Sequence, residues 1–382
     1  MRVLFRADAS VEIGTGHIMR CATLADALRQ AGAAVVFACR ALPGDLRAWL
    51  SEQGYPVLTL PDDLADNTSL SAGTGIDGSD VTNAKTALPH SDFLYDWLVV
   101  DHYGLDARWE TAMRAQARKI LVIDDLANRP HDCDVLLDQN VTAPTVSPYT
   151  GLVPANCQQL LGPSFALLRP AFAALRADSC ERVSPCGLKD TDSAACITRL
   201  LIFFGGSDPT QECFKALNAL RLLRTMEPLP DWLSGLQVDL IAGGSNPRFE
   251  ALQTKCLGMP NLQLHRQVQD MAAMMQQADL CLGAGGTTTW ERCCLGLPGV
   301  VIAVADNQVV ITQNVAALGA QRYLGESAKV TASDIASALQ SLLGDAESAS
   351  VLAGLRQAGM ALVDGLGVQR VVAVMRPVLA GA

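Results

Sequence analysis

Short apolar runs alternate with longer stretches whose apolar positions recur every three to four residues, along almost the whole chain. Runs that are apolar throughout fit strands buried on both faces. Their alternation with helices predicts parallel sheets with crossover helices, an α/β fold. In the first half, strands are expected at 3–6, 35–38, 57–60, 98–101, 120–124 and 135–138, with helices at 17–30, 46–53 and 107–116. A fresh series starts near residue 200. Its strands are expected at 200–204, 238–242, 262–265, 280–283 and 300–304, and its helices at 211–223, 270–277, 288–295 and 307–318. Three helical stretches close the chain, and the last, 367–378, is expected to pack back across the domain junction.

Two segments break the rhythm. Residues 65–91 are rich in Ser, Thr, Gly, Asp and Asn with little periodicity, which predicts a long surface loop. Residues 178–195 are similarly polar and lie where one α/β series gives way to the next. The expected division is therefore a Rossmann-like N-terminal domain over 1–178, a linker over 179–196 and a Rossmann-like C-terminal domain over 197–382. A chain of 382 residues suits two such domains.

Composition narrows the partners. The 29 Lys and Arg against 39 Asp and Glu leave a formal charge of −10, which repels nucleic acid and anionic membrane surfaces. No nucleic acid partner is expected. A nucleotide ligand stays compatible, because backbone N–H groups and helix N-termini can hold a diphosphate. The 12 cysteines include no C-x-x-C pair, and no His stands at zinc-ligand spacing from a Cys pair. Cys21, Cys39, Cys281, Cys293 and Cys294 sit in apolar stretches, as reduced thiols of a cytoplasmic protein do. No metal and no cofactor are expected. The N-terminus enters a strand directly, and the longest nearly apolar run, 295–305, falls short of the ~20 residues of a membrane helix. No membrane span is expected.

Three turns can carry chemistry. The first is Gly14-Thr15-Gly16-His17-Ile18-Met19-Arg20, where a strand runs into a helix. Its glycines allow close backbone approach, and the helix N-terminus offers unpaired N–H groups. A dinucleotide fingerprint would need Gly where Met19 stands and an acid where the next strand ends at Arg40. A Rossmann dehydrogenase is thereby disfavoured. His17 opens the helix, whose positive end disfavours an imidazolium and leaves a ring able to accept a proton. Such a ring suits general-base activation of water. The bland alternative is a histidine satisfied by loop hydrogen bonds, and the Gly-x-Gly before it favours function.

The other two turns are Gly205-Gly206-Ser207-Asp208 and Gly283-Ala284-Gly285-Gly286-Thr287-Thr288-Thr289-Trp290-Glu291. Both fall at carboxyl ends of expected parallel strands, where open α/β sheets bind ligands. Gly285, Gly286 and the threonines can present donors to a diphosphate, and Glu291 can accept from ribose hydroxyls. No P-loop Lys follows. Tight strand–helix packing also needs glycine, but two such turns in one domain favour a ligand. Asp101-His102-Tyr103 and Asp124-Asp125 end strands as well; for Asp124 and Asp125 a turn-capping role is expected. Cys293 and Cys294 read as core.

The stretch from Gly283 to Pro298, with Thr-Trp-Glu and the closing Leu-Gly-Leu-Pro, resembles the nucleotide-sugar motif of the glycosyltransferase-B superfamily. His265-Arg266-Gln267-Val268-Gln269-Asp270-Met271 resembles its uracil-contacting segment. The N-terminal half is more specific. Leu4-Phe5-Arg6-Ala7-Asp8, Ile13-Gly14-Thr15-Gly16-His17 with Arg20, Val100-Asp101-His102-Tyr103 and Ile123 to Arg129 resemble the UDP-sugar hydrolases of pseudaminic acid biosynthesis. Leu137 to Asn140, Gly162-Pro163 through Leu168-Arg169-Pro170, and Asp306-Asn307-Gln308 extend the likeness in order along the chain.

The resemblance implies two Rossmann-like domains facing a cleft, with UDP held by the C-terminal one. It implies hydrolysis of UDP-2,4-diacetamido-2,4,6-trideoxy-β-L-altropyranose to UDP and the free sugar, without a metal. His17 would be the base that deprotonates water at the anomeric carbon, with inversion; Tyr103 and Asn307 would position substrate or water. Gly14, Gly16, Arg20, Gly206, Ser207, Val268, Met271, Gly285, Gly286, Thr287 and Glu291 would bind substrate. Contact with neighbouring enzymes of the pathway is a further implied partnership. Two rival readings stand beside this one. A glycosyltransferase of the same fold would need an acceptor groove, and a non-catalytic nucleotide-sugar binding protein would tolerate His17→Ala.

Overall fold

The computed structural model describes residues 1–60, 94–141, 147–181, 197–244, 246–344 and 348–376. Residues 65–91 lie outside the described residues, as do 182–196 of the expected linker. The chain forms two compact units. One comprises Met1–Leu167 with Leu366–Ala382, and the other Leu168–Gly365. Each is built on a parallel sheet, so the two α/β domains expected from the sequence are present.

The first sheet has seven strands: β1 (Arg2–Ala7), β2 (Ala34–Arg40), β3 (Val57–Leu60), β4 (Tyr95–Asp101), β5 (Ala117–Ile123), β6 (Val135–Asp138) and β7 (Gln158–Leu161). Their order is β3-β2-β1-β4-β5-β6-β7. Phe5 lies opposite Phe37 on one side and Val99 on the other. All three are fully buried, and the rings of Phe5 and Phe37 stack at 5.0 Å. Each such side chain contributes roughly 1.5–3 kcal/mol by leaving water. The chain winds outward from β1 through β2 and β3, then resumes on the other side of β1 at β4. The loops after β1 and β4 therefore diverge, and side chains at those two strand ends converge on one crevice.

The second sheet has six strands: β8 (Arg199–Phe203), β9 (Gln237–Ala242), β10 (Leu262–Arg266), β11 (Leu280–Ala284), β12 (Gly299–Ala303) and β13 (Arg322–Glu326). The order β10-β9-β8-β11-β12-β13 repeats the same logic, with the switch between β8 and β11.

Two strands escape the sequence pattern, β7 and β13. Both are edge strands, and Gln-Gln-Leu-Leu and Arg-Tyr-Leu-Gly-Glu carry too few apolar positions to stand out. The helices Pro170–Glu181 and Phe249–Cys256 were not expected either.

The domain limits need correction at two places. The first unit stops at Leu167, because the helix Pro170–Glu181 packs on Met271–Gln277 and Thr288–Leu295 of the second unit. Arg176 fastens it there, donating to the carbonyls of Cys294 and Met360 at 2.8 Å each. The second correction is the last helix, Gly367–Met375, which belongs to the first unit. Its Val368, Val371, Val372 and Met375 join the core under the helix Gly16–Gln30. Trp97 Nε1 donates to the Met375 carbonyl at 3.0 Å, and Arg370 Nη1 to that of Ser164 at 2.7 Å. Gly367 is required here, since a Cβ would stand 2.3 Å from the Ala166 carbonyl oxygen.

Residues 348–375 are long and apolar enough to cross a membrane by length and composition. They form two helices, Ser348–Leu362 and Gly367–Met375, broken where Gly365 turns at φ 82° and divided between the two units.

Candidate active site

The carboxyl edge of the first sheet collects charged side chains at the switch point. His17 sits one residue into the helix Gly16–Gln30, which follows β1 across a turn closed by Gly14 at φ 79°. That turn is fixed by the Gly14 N–H donating to the Ser10 carbonyl at 2.9 Å. One helical turn on, Arg20 points the same way, as i, i+3 spacing requires. Asp101, the last residue of β4, meets both. It accepts from His17 Nδ1 at 2.5 Å, Arg20 Nε at 2.6 Å and Arg20 Nη2 at 2.7 Å. All three side chains are buried.

Electrostatics fix the histidine's proton. Burial alone would raise the Asp101 carboxyl, but the Arg20 guanidinium and His17 reverse that and hold it far below the usual carboxylate range. An ionised carboxylate only accepts, so Nδ1 is the donor, and in the neutral ring the lone pair is on Nε2. Arg20 Nη2 also lies 3.3 Å from Nδ1. That approach is the weaker one, because the same Nη2 is 2.7 Å from Asp101 Oδ1 and Nδ1 is already the donor at 2.5 Å. His17 Nε2 meets no hydrogen-bond partner among the described residues. The sequence offers only the helix end as an influence on the ring; the structure adds the carboxylate that Nδ1 donates to.

Tyr103 closes the site on the other side, its ring edge-on to His17 with centroids 4.7 Å apart. Its phenol is hydrogen-bonded to Asp125, and burial together with that carboxyl raises it well above the usual tyrosine range. Asp125 Oδ2 in turn faces Arg20 Nη1 at 3.6 Å. The sequence reading gives Asp125 a turn-capping role; its side chain instead faces the His17 cluster. For Asp124 that reading fits, since Oδ2 accepts from the N–H groups of Leu126 and Ala127. Arg129 Nη1 lies 2.7 Å from the other oxygen of Asp124.

Other histidines are placed for scaffolding. His102 has both ring nitrogens occupied: Nδ1 accepts from the Gly104 N–H at 3.0 Å and Nε2 lies 3.3 Å from Asp8. Asp8 also faces Arg6 Nη1 at 2.8 Å and accepts from the Arg40 N–H, tying β1, β2 and β4 together at their ends. Burial opposes the charge on Asp8, yet Arg6 and His102 hold its carboxyl well below the ordinary range. His131 is fully buried against Glu110 at 2.7 Å.

The second unit presents a different edge. Gly285 is forced by packing, because a Cβ there would stand 2.1 Å from Thr312 Cγ2. Gln308 Oε1 accepts from the Gly285 and Val304 N–H groups at 3.2 and 3.1 Å, which pins the glycine turn to the end of β12. Gly286 and Thr287 lead into the helix Thr288–Leu295, whose first N–H groups have no intrahelical acceptor. Buried Arg292 holds this helix from behind, donating to the Ala284 carbonyl, Thr289 and Gln321. Glu291 is raised above its ordinary value by burial, against the pull of Arg169, whose Nη2 lies 3.4 Å away.

The turn after β8 has a similar build. Gly243 passes so close to Gly206 that a Cβ would stand 2.2 Å from its carbonyl oxygen. Beyond Ser207, Asp208 at φ 46° accepts from the N–H groups of Glu212 and Cys213. Val268 is half-buried between β10 and the helix Met271–Gln277, whose first residue is buried. Asn307 is exposed in the first turn of Asp306–Ala317, beside Gln308. Of the three expected catalytic residues, the first unit brings His17 and Tyr103 together, and Asn307 stands on the second.

Asp101 and Asp125 are the residues whose part the sequence conceals, since strand-end acids look alike until strand order is known. The nine described cysteines are free thiols; Cys133 and Cys157 approach to 3.5 Å between sulfurs.

Comparison with known proteins agrees with this layout. Residues 200–353, within the second unit, match the glycosyltransferase family 28 C-terminal domain. The chain is 25% identical over 377 residues, 98% of each chain, to the spore coat polysaccharide biosynthesis protein SpsG of Bacillus subtilis. It is 28% identical over 309 residues to the UDP-2,4-diacetamido-2,4,6-trideoxy-beta-L-altropyranose hydrolase of Campylobacter jejuni, covering 81% of this chain and 93% of that one. The hydrolase resemblance expected from the N-terminal motifs is thus found. Among solved structures, MurG of Acinetobacter baumannii aligns with a TM-score of 0.65 at 16% identity, over 98% of this chain and 99% of that one. MnaA of S. aureus, solved with UDP, gives 0.61 at 14%, over 99% and 97%. At such identities these structures establish the fold alone, two α/β domains each built on a parallel sheet.

Proposed function

We propose that this protein is a hydrolase that splits UDP-2,4-diacetamido-2,4,6-trideoxy-β-L-altropyranose into UDP and the free diacetamido sugar. The observation that carries the reading is the His17–Asp101 pair, in which a buried carboxylate fixes Nδ1–H and leaves Nε2 as a lone-pair acceptor. Water at Nε2 attacks the anomeric carbon while the bond to the UDP oxygen breaks. The proton passes to Nε2, and Asp101 stabilises the imidazolium as it forms. A single displacement inverts the anomeric centre. Tyr103, edge-on to the ring and kept protonated, offers a hydroxyl beside the reacting water.

In the second unit, the N–H groups at the start of Thr288–Leu295 meet the charge that grows on the departing diphosphate, and they do so without reorganising. Glu291 accepts from the ribose hydroxyls, and Asn307 helps to position substrate. Val268 and Met271 line the base. The Campylobacter relative, a hydrolase named for this nucleotide sugar, supports the choice of sugar.

UDP release from that nucleotide, with no acceptor and with chelator present, tests the reaction. His17→Asn is expected to lower turnover by roughly 10²–10⁴-fold while UDP affinity changes little. Normal turnover in His17→Asn would remove the role given to that residue. A second reading, sugar transfer to an acceptor, draws on the family 28 match at 200–353; binding of the nucleotide without release of UDP favours it.

A further inference from the structure

A carboxylate offers about four acceptor positions, and those of Asp101 are met from a single helix. Oδ1 accepts from His17 Nδ1 at 2.5 Å and from Arg20 Nη2 at 2.7 Å. Oδ2 accepts from Arg20 Nε at 2.6 Å and from the Cys21 thiol at 3.5 Å. His17, Arg20 and Cys21 stand at i, i+3 and i+4 of the helix Gly16–Gln30, the spacing of one helical face. Arg20 supplies the fork, two N–H groups set to match the two carboxylate oxygens, which a lysine cannot reproduce.

The remaining guanidinium nitrogen, Nη1, faces Asp125 Oδ2 at 3.6 Å. Arg20 is thus directed at two carboxylates, with its side chain 6% exposed. The titratable groups around it come from four places: Asp8 beyond β1, His17 and Cys21 on the helix, Asp101 and Tyr103 at the end of β4, and Asp125 beyond β5. Asp8 is engaged by Arg6 and His102. Burial keeps Cys21 a thiol, and burial with Asp125 keeps Tyr103 a phenol. What remains is two carboxylates, one permanent cation, and a histidine that can change its charge.

We infer that Arg20 is a positioning residue for the His17 base. Its fork holds Asp101 against Nδ1, and its charge keeps the His17–Asp101 pair from taking an additional proton. The sequence resemblance gives Arg20 to substrate, whereas the geometry directs it to Asp101 and Asp125. Without Arg20, two buried carboxylates would face His17 with no fixed counter-charge, and a proton on the pair becomes the nearest one. That proton occupies Nε2 and removes the base. The pair titrates as a unit, so the loss shows as one apparent midpoint on the acid side. This rests on the reading above, in that His17 acts as the base in UDP release.

The experiment measures kcat/KM for UDP release from the diacetamido nucleotide against pH, for wild type, Arg20→Met and Arg20→Lys. The His17 ring is followed by NMR over the same range without substrate, its signals assigned among the five histidines by their loss in His17→Asn. Arg20→Met is expected to move the acid limb up by about one pH unit, read as a roughly tenfold greater loss of kcat/KM on the acid side. The His17 ring should titrate in step, with UDP affinity unchanged. Arg20→Lys keeps the charge without the fork, so its acid limb should stay near that of wild type while kcat falls.

An acid limb and a ring titration that do not move in Arg20→Met overturn the inference. So does a raised KM with kcat intact in either variant, which is the mark of a substrate contact. Should Arg20→Met fail to fold, Arg20→Lys decides by whether kcat or KM carries its loss. A wild type that releases no UDP removes the hydrolase reading, and the ring titration still decides what the Arg20 charge does.

Discussion

The two units carry the same sheet design and put different materials at its carboxyl edge. In the first, the switch point is furnished with side chains: Asp8, His17, Arg20, Asp101, Tyr103, Asp125 and Asp138, drawn from five separate strand ends and loops. In the second it is furnished with backbone, at Gly205-Gly206 and Gly285-Gly286-Thr287, braced from behind by Gln308 and Arg292. Side chains with fixed proton positions suit proton transfer. Backbone N–H groups suit a diphosphate, whose charge they meet without titrating. Under the proposed function this is a division of labour, reaction rate on one edge and nucleotide affinity on the other.

The sharpest way to break that division is Asp101→Asn. It keeps the shape but removes the charge and turns one of the two acceptor oxygens into a donor, so the His17 tautomer is no longer fixed, and kcat is expected to fall by roughly 10³–10⁴-fold with UDP affinity unchanged by calorimetry. If UDP binding falls in step with kcat, the edges are not separate in function. The converse is Gly285→Ala, whose Cβ meets Thr312 Cγ2 at 2.1 Å. UDP affinity should drop by about ten- to a hundredfold, a loss of the size seen when a positioned donor set is displaced. Adding Thr312→Ser, which removes the clashing methyl, should restore much of it.

A milder probe of the same edge is Glu291→Gln. It should weaken UDP about threefold to tenfold, the worth of one ordinary hydrogen bond, and weaken 2′-deoxy-UDP less.

The smallest effect concerns stability. Burial pushes the Asp138 carboxyl from 3.8 up to about 7, against the pull of the Asn140 N–H and with Asp125 and Asp124 adding to it. Across that window the folded protein keeps a proton that the unfolded chain has lost. Stability therefore falls as pH rises from about 4 to 7. Asp138→Asn should flatten this part of the melting-temperature profile and raise the melting temperature by a few degrees near pH 8. An unchanged slope would place the titration elsewhere.

The difference between the edges also explains what was readable in the sequence. A backbone site is local: Gly283 to Glu291 contains its own strand, turn and helix start, and its glycines stand out in nine consecutive residues. A side-chain site is assembled by strand order. Asp101 lies 84 positions from His17, and nothing near either residue says that β4 returns beside β1. His17 was visible because it follows Gly-x-Gly at a helix start; the carboxylate that fixes its proton was not. Central strands were legible because they are apolar throughout. The edge strands β7 and β13 were not, since one side of each lacks a neighbour and tolerates polar residues.

The last helix has a consequence for how the protein is made. The first unit is finished by Gly367–Met375, whose valines cover the helix Gly16–Gln30 and whose Met375 carbonyl accepts from Trp97. During synthesis, residues 1–167 leave the ribosome some two hundred residues before that cover exists. The second unit, contiguous from Leu168 to Gly365, can close on itself as it emerges. Translation thus completes the second unit before it makes the helix that finishes the unit carrying His17.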